Sequence, residues 1–391
     1  MILDKFIKET KSWWENYLYK IVDLEKRGAL DTKGGVVLFP NILIVTEVKG
    51  FLLAELVGAQ HLFKGLKIKR HKDTSIYRYL NQFDDSDPDP LIKLDGSCQR
   101  FRFLCLAQEV DYNLIKNRFP FVELYQSRIN RVGGKGSVFD FGNNFVSCCI
   151  ENSVLINRHE NIFRCKNILA LFIVKKNISK KELIDLFNHS INEYEVKGVH
   201  TVWEDEDETL IIGGHLQSMY LFPGLHETTI GEFISSHPEI VKKAFKTTHF
   251  EYEPYFEWIE HDGSVQDKGI NPDLMIKRDD GYYDIYDFKT AALTKNTILK
   301  GQRKRRRFID YVEEGVAQLA NYREYFEYPK NKVYAKIKYG IEVQNPKLVL
   351  IVGNWENTNL KEIEEACRRY REINIIDYDT FTHLFMGIKA S

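Results

Sequence analysis

Residues Asn271–Lys289 constrain this chain more than any other stretch. Apolar and polar residues alternate on both sides of Asp279-Asp280-Gly281, which is the pattern of a β-hairpin. Leu274 and Ile276 fall in one arm; Tyr283, Ile285, Asp287 and Lys289 share one face of the other. Gly281 supplies the positive φ that a tight hairpin turn requires. A three-residue loop puts Asp273 directly across from Asp287. A two-residue loop, Asp280-Gly281, slips the register by one.

In the first register two carboxylates face each other across neighbouring strands, with Cβ atoms about 4.5–5.5 Å apart. They repel unless a cation lies between them, and Mg²⁺ takes hard oxygen ligands of this kind; Mn²⁺ can substitute. Lys289, two residues beyond Asp287, projects to the same face, where an ammonium can orient a water or stabilise charge on a phosphate. Asp273 and Asp287 are therefore the expected metal ligands, with Lys289 as catalytic partner. A bare acid-x-Lys triplet carries little, since Asp31-Thr32-Lys33, Glu47-Val48-Lys49 and Glu195-Val196-Lys197 also have it. Pro272-Asp273, a turn midway and Asp287-Phe288-Lys289 on a strand together resemble the PD-(D/E)xK nuclease superfamily.

With 391 residues the chain has room for two or three domains. A net charge of −1 gives no global basic field, so nucleic-acid binding needs a local patch. That patch is present. Seven basic residues and no acid lie between 295 and 307, among them Lys300, Arg303, Lys304, Arg305, Arg306 and Arg307. Directly after the acid pair, the run is expected to hold phosphates. The apolar runs Ile168–Val174 and Leu348–Val352 are too short to span a membrane, and the N-terminus lacks a signal-peptide core. A cytoplasmic protein without membrane contact is expected. Six cysteines without C-x-x-C spacing read as buried free thiols.

Residues 1–220 read as a strand-rich α+β regulatory region of one or two lobes and carry no chemical constellation. A helix over 1–30 bears Phe6, Trp13, Trp14, Tyr17, Ile21 and Leu24 near helical spacing. Strands follow at 36–39, 42–48, 101–106, 138–141, 145–150 and 168–174, with a helix capped by Ser179. Residues 84–96 form an acidic, proline-punctuated loop. The glycine-rich 131–137 lacks the order of a phosphate-binding loop and is expected to be a turn, and Glu204–Glu208 a solvated acidic segment.

The second domain, 221–391, is expected to be an α/β core of mixed sheet flanked by helices. Thr229-Ile230-Gly231-Glu232 reads as a capping box opening a helix that runs to Phe245. Glu232 on that helix, and Glu251 or Glu253 on a following strand interrupted by Pro254, are candidates for a third metal ligand. A helix over 308–328 is stopped by Pro329; then come strands at 332–343 and 347–354, a helix at 360–370, a strand at 373–376 and a terminal helix.

Gln318 and Tyr322, one turn apart on the 308–328 helix, match the Q-x-x-x-Y element of RecB-like nucleases. From about Glu227 to the end, the chain resembles the C-terminal domain of the Shedu anti-phage defence nucleases. That likeness rests on Asn271-Pro272-Asp273, Asp287-Phe288-Lys289, Gln318 and the strand–helix tail. It implies a restriction-endonuclease-like core, metal-dependent cleavage of foreign DNA, Gln318 in the catalytic set, Tyr322 at the nucleic acid, an N-terminal sensor and a homo-oligomer. A silent nucleic-acid-binding module and a repair or recombination nuclease are the alternatives.

Overall fold

The computed structural model describes residues 1–30, 35–80, 92–108, 112–132, 139–159, 162–191, 196–203, 205–263, 268–302, 305–368, 370 and 373–388. The glycine-rich 133–137, most of the acidic loop, and Arg303 and Lys304 of the basic run lie outside the described residues. The chain forms two compact units, Met1–Gly224 and Leu225–Ser391.

In the first unit the helix Leu3–Lys26 buries Phe6, Trp14, Leu18 and Ile21, while Leu24 stays largely exposed. This apolar stripe packs on a sheet whose two longest strands, Ser147–His159 and Ile162–Lys175, pair antiparallel. Acidic residues 205–208, expected as a solvated segment, instead open the helix Asp205–Tyr220. Acids are favourable in a first helical turn, so a run of acids can start a helix as readily as mark a loop. The six cysteines are all free.

The second unit is mixed α/β. Its sheet comprises β1 (Phe250–Tyr252), β2 (Leu274–Lys277), β3 (Tyr283–Phe288), β4 (Leu348–Ile351) and β5 (Ile373–Ile376), adjacent in that order. β1–β2 and β2–β3 pair antiparallel; β3–β4 and β4–β5 pair parallel. The helices are α1 (Glu227–Ser236), α2 (Pro238–Phe245), α3 (Asp310–Tyr325), α4 (Pro329–Tyr339), α5 (Leu360–Cys367) and α6 (Tyr378–Phe385). One sheet face, with Met275, Ile285 and Leu350, shares a core with Val312, Val316 and Leu319 of α3 and Ile363 of α5. The opposite face meets α2 and α6 through Phe245–Tyr286 and Phe288–Phe381 ring contacts, 4.8 and 5.8 Å between centroids. All of β3 is buried, so its two aspartates, Asp284 and Asp287, sit in a strand covered on both sides.

The hairpin turn takes the three-residue form. Leu274 pairs with Tyr286 and Ile276 with Asp284, the Arg278 N–H donates to the Tyr282 carbonyl, and Gly281 has φ 90°. Arg278 clamps the turn: its guanidinium reaches Asp280, Asp284 and the carbonyls of Gln344 and Asn345.

Three expected elements differ. α1 starts at Glu227 with His226 as N-cap, so Thr229 lies inside the helix and is no cap. The helix then breaks at His237-Pro238 into α1 and α2, since proline cannot extend a helix interior but suits a first turn. The strand expected at 332–343 is instead helix α4, with Pro329 in its first turn and Gly340 closing it at φ 68°. Pro329 thus opens a helix as well as ending one. The apolar alternation that suggested a strand comes partly from Val333 and Ile337, which are 57% and 81% exposed on one side of α4. Finally, the strand expected at 249–259 is split: β1 ends at Tyr252, Glu253 turns left-handed at φ 47°, and Phe256–Glu257 pairs with Gly269–Ile270 instead.

Candidate active site

The register fixes the chemistry of the site. Beyond the last paired residues Leu274 and Tyr286, Asp273 falls across from Asp287. Its Oδ2 accepts the Phe288 N–H at 2.7 Å, which holds it against the end of β3. Asp287 is fully buried, and its Oδ1 has no hydrogen-bond partner. Lys289 is almost as buried; its Nζ is 2.7 Å from Asp287 Oδ2 and 3.4 Å from Glu227 Oε1. Burial and the neighbouring Asp287 charge push Asp273 up to about 8. Burial also raises Asp287, although the Lys289 ammonium opposes it. Lys289 is pulled down by burial, but the carboxylates around it win and hold it above its ordinary value. Two acids that keep a proton beside a permanently charged lysine form a site poised to exchange that proton for a cation.

Space for Lys289 comes from α3. A Cβ at Gly315 would lie 3.3 Å from Lys289 Cγ and 3.0 Å from a Leu350 methyl, so only glycine leaves the lysine stem unstrained there. Gln318, one turn on, donates to the Tyr322 hydroxyl, which donates to the Asn271 carbonyl at 3.2 Å. The pair thereby fastens α3 to the strand entry two residues before Asp273. Tyr322 is only 4% exposed, so it supports the site from beneath and offers no surface on which a base could stack.

Glu227, the first residue of α1, is the acid that sequence reasoning missed. Its Oε1 faces Lys289, and its Oε2 is 3.3 Å from the Tyr311 hydroxyl, which also accepts the Thr290 N–H. The capping-box pattern drew attention to Glu232 instead, but five residues along a helix is well over a full turn, and Glu232 is exposed. Glu251 pairs opposite Met275 on β1 and acts on Tyr283 rather than on the acid pair. Glu253 is exposed. The structure thus brings Asp273, Asp287 and Lys289 together, with Gln318 as a support, and leaves Glu232 and Glu251 apart. Tyr378, the first residue of α6, was also missed. It is fully buried, and burial together with the charges of Glu227 and Asp273 raises its hydroxyl far above its usual value.

Among the described residues no three His, Cys, Asp or Glu side chains converge as an all-protein metal cage. The orphaned Asp287 Oδ1 and the neighbouring Asp273 do fit an ion such as Mg²⁺, which binds through one or two carboxylates and keeps waters or phosphate oxygens for its other positions.

The basic run divides. Arg305 and Arg307 are exposed. Arg306 is bound to Glu362 and Glu365 of α5, both at 2.7 Å, and Lys300 pairs with Asp310 and Glu313. Those two residues, expected on nucleic acid, are held by acids of their own unit, which a charge run alone does not reveal. No described helix is long and apolar enough to cross a membrane.

No curated protein matches the chain. Residues 224–382 match the sequence family described as Shedu protein SduA, C-terminal. The matched stretch takes in the acid pair, Lys289 and Gln318, so the second unit is similar to the C-terminal part of Shedu proteins.

Proposed function

We propose that the C-terminal unit is a Mg²⁺-dependent DNA endonuclease with a restriction-endonuclease-like core, acting in anti-phage defence under control of the N-terminal region. The observation that carries this reading is the half-buried Asp273 set across from the fully buried Asp287, with Lys289 ion-paired to Asp287. A strand end built for stability alone would not set a second acid face to face with a fully buried one. The match of residues 224–382 to the Shedu C-terminal family supports the defence role, and the reading carries with it a cytoplasmic homo-oligomer acting on foreign DNA.

When bound, the metal supplies Lewis-acid polarisation of a phosphate oxygen and of a water. The chain's own groups do the rest. Asp273 and Asp287 present oxygens from one side, and Asp273 gives up its retained proton as they do so. Lys289 keeps its charge beside Asp287, where it orients the attacking water and counters charge that develops on the phosphate. The water oxygen bonds to phosphorus and releases a proton to solvent, the P–O bond to one nucleotide breaks, and the departing oxygen takes a proton from solvent. Glu227 holds the far side of the ammonium, and Gln318 with Tyr322 fixes the strand entry. Exposed Arg305 and Arg307 meet the DNA backbone.

The test is incubation of the purified chain with linear and circular DNA, with Mg²⁺ or EDTA, beside a Lys289→Met variant. Cleavage only by the unaltered chain with metal is expected. DNA binding without cleavage under any metal would replace this reading with that of a silent nucleic-acid-binding module.

A further inference from the structure

The second unit also holds a cavity of about 760 Å³ at the opposite end of the sheet from the acid pair. It opens where β4 and β5 begin, between α3, the start of α4 and the loop 343–347. Asp287 lies three residues beyond Asp284, whose carboxylate accepts the Lys347 N–H at the cavity wall, so the two sites are roughly 10 Å apart along β3.

The lining has the composition of a ligand site. Arg323, Lys332 and Lys347 bring three cations against one carboxylate, Glu327. The ammonium groups of Lys332 and Lys347 make no ion pair with any described residue, unlike Lys300, Arg306 and Lys336 of the same unit. The floor is apolar: Phe326 and Val343 are almost wholly buried. The rim is held in place rather than loose. Arg278 binds the Gln344 and Asn345 carbonyls, both at 2.9 Å, and Asn345 sits in the left-handed region at φ 45°. A volume of this size, fixed amide-bearing walls and the two ammonium groups of Lys332 and Lys347 fit a small organic anion.

We propose that this cavity binds a phosphorylated small molecule of nucleotide size, with its phosphates on Lys332 and Lys347. Glu327 faces the sugar or an exocyclic amine. A concave site with a carboxylate in its lining suits a discrete ligand better than a duplex backbone, which needs a row of cations along a ridge. Because the Lys347 backbone pairs with β3 through the Ile285 N–H as well as Asp284, an occupant presses on the strand that carries Asp287.

The experiment is calorimetric titration of the full chain in EDTA, where the acid pair cannot capture phosphate through a metal. The probes are ATP, inorganic pyrophosphate, adenosine and a short DNA duplex. Saturable binding of ATP, competition by pyrophosphate and none by adenosine are expected. Lys332→Glu with Lys347→Glu should weaken ATP by about tenfold per reversed charge, each tenfold being about 1.4 kcal/mol. Both residues are exposed, and Lys332→Gln with Lys347→Gln serves if the reversal unfolds the chain. Absence of ATP binding at millimolar concentration, or ATP binding that neither pair of substitutions alters, overturns the proposal. Duplex binding that is lost on reversal while ATP fails to bind overturns it in favour of a DNA contact. None of these outcomes depends on whether the acid pair cleaves DNA.

Discussion

Asp273→Asn removes the acid that burial first, and the Asp287 charge second, hold above its ordinary value. The asparagine can still accept the Phe288 N–H, and the Lys289–Asp287 pair is left intact. Asp287→Asn, by contrast, would remove the nearest partner of a buried lysine and mix two effects. Asp273 rises from 3.8 to about 8 in the fold. Between those values the native chain holds a proton that the unfolded chain has released, so its stability falls as pH rises, by about 1.4 kcal/mol per pH unit. At pH 7 this reaches a ceiling of about 4 kcal/mol. Burial is the larger cause, and the part that comes from Asp287 is shared between the two acids, so the variant should gain roughly half of that, about 2 kcal/mol. At roughly 2–4 °C per kcal/mol for a unit of this size, it should melt about 4–8 °C above the unaltered chain in EDTA. The gap should widen from acid to neutral pH and close when Mg²⁺ is added, because only the unaltered site gains from the metal. Thermal melts across pH, with EDTA and with Mg²⁺, read all three. A variant that melts lower in EDTA, by an amount independent of pH, would refute the argument and make Asp273 a structural hydrogen-bonding residue.

Lys289→Ala should abolish cleavage and also lower the apo melting temperature, since Asp287 then stays buried without its cation; a cleavage assay and a melt decide it. Gly315→Ala gains about 1 kcal/mol of helix propensity but crowds Lys289 and Leu350, so cleavage should fall at least tenfold with little change in stability; unchanged cleavage would show that the lysine stem has room to spare. Neutralising Arg305 and Arg307 should flatten the salt dependence of DNA binding by about 0.9 in log–log slope per lost phosphate contact. Arg306→Ala should instead lower the melting temperature, because it strips two acids of α5 of their partner.

The sequence made the hairpin legible because its side-chain period is two and a glycine marks the turn; both signals are local and agree. The acid pair followed from register alone. α4 was not legible: Val333, Ala335 and Ile337 alternate as a strand would, and only the flanking Pro329 and Gly340 argue for a helix. Glu227 was hidden by a better-formed local pattern one turn further on, at Thr229–Glu232. Its role comes from contacts with Lys289 and Tyr311, which are far away in sequence. The same holds for Arg306, whose acids lie more than fifty residues ahead in α5. Partners distant along the chain leave no mark on the residues that meet them.

The clamp on the hairpin turn carries a genetic consequence. Arg278, Asp280 and Gly281 lie at the turn, away from Asp273 and Asp287, yet they set the phase in which the two strands meet. Removing or adding one residue in that loop would rotate β3 by a half-period and carry Asp287 and Lys289 to the face packed on α2 and α6. Every codon for the chemistry would survive such an indel while the active centre ceased to exist. At Asp279, exposed in that loop, tolerance to substitution and intolerance to deletion should therefore coincide, a contrast that a deep mutational scan containing single-codon deletions would expose.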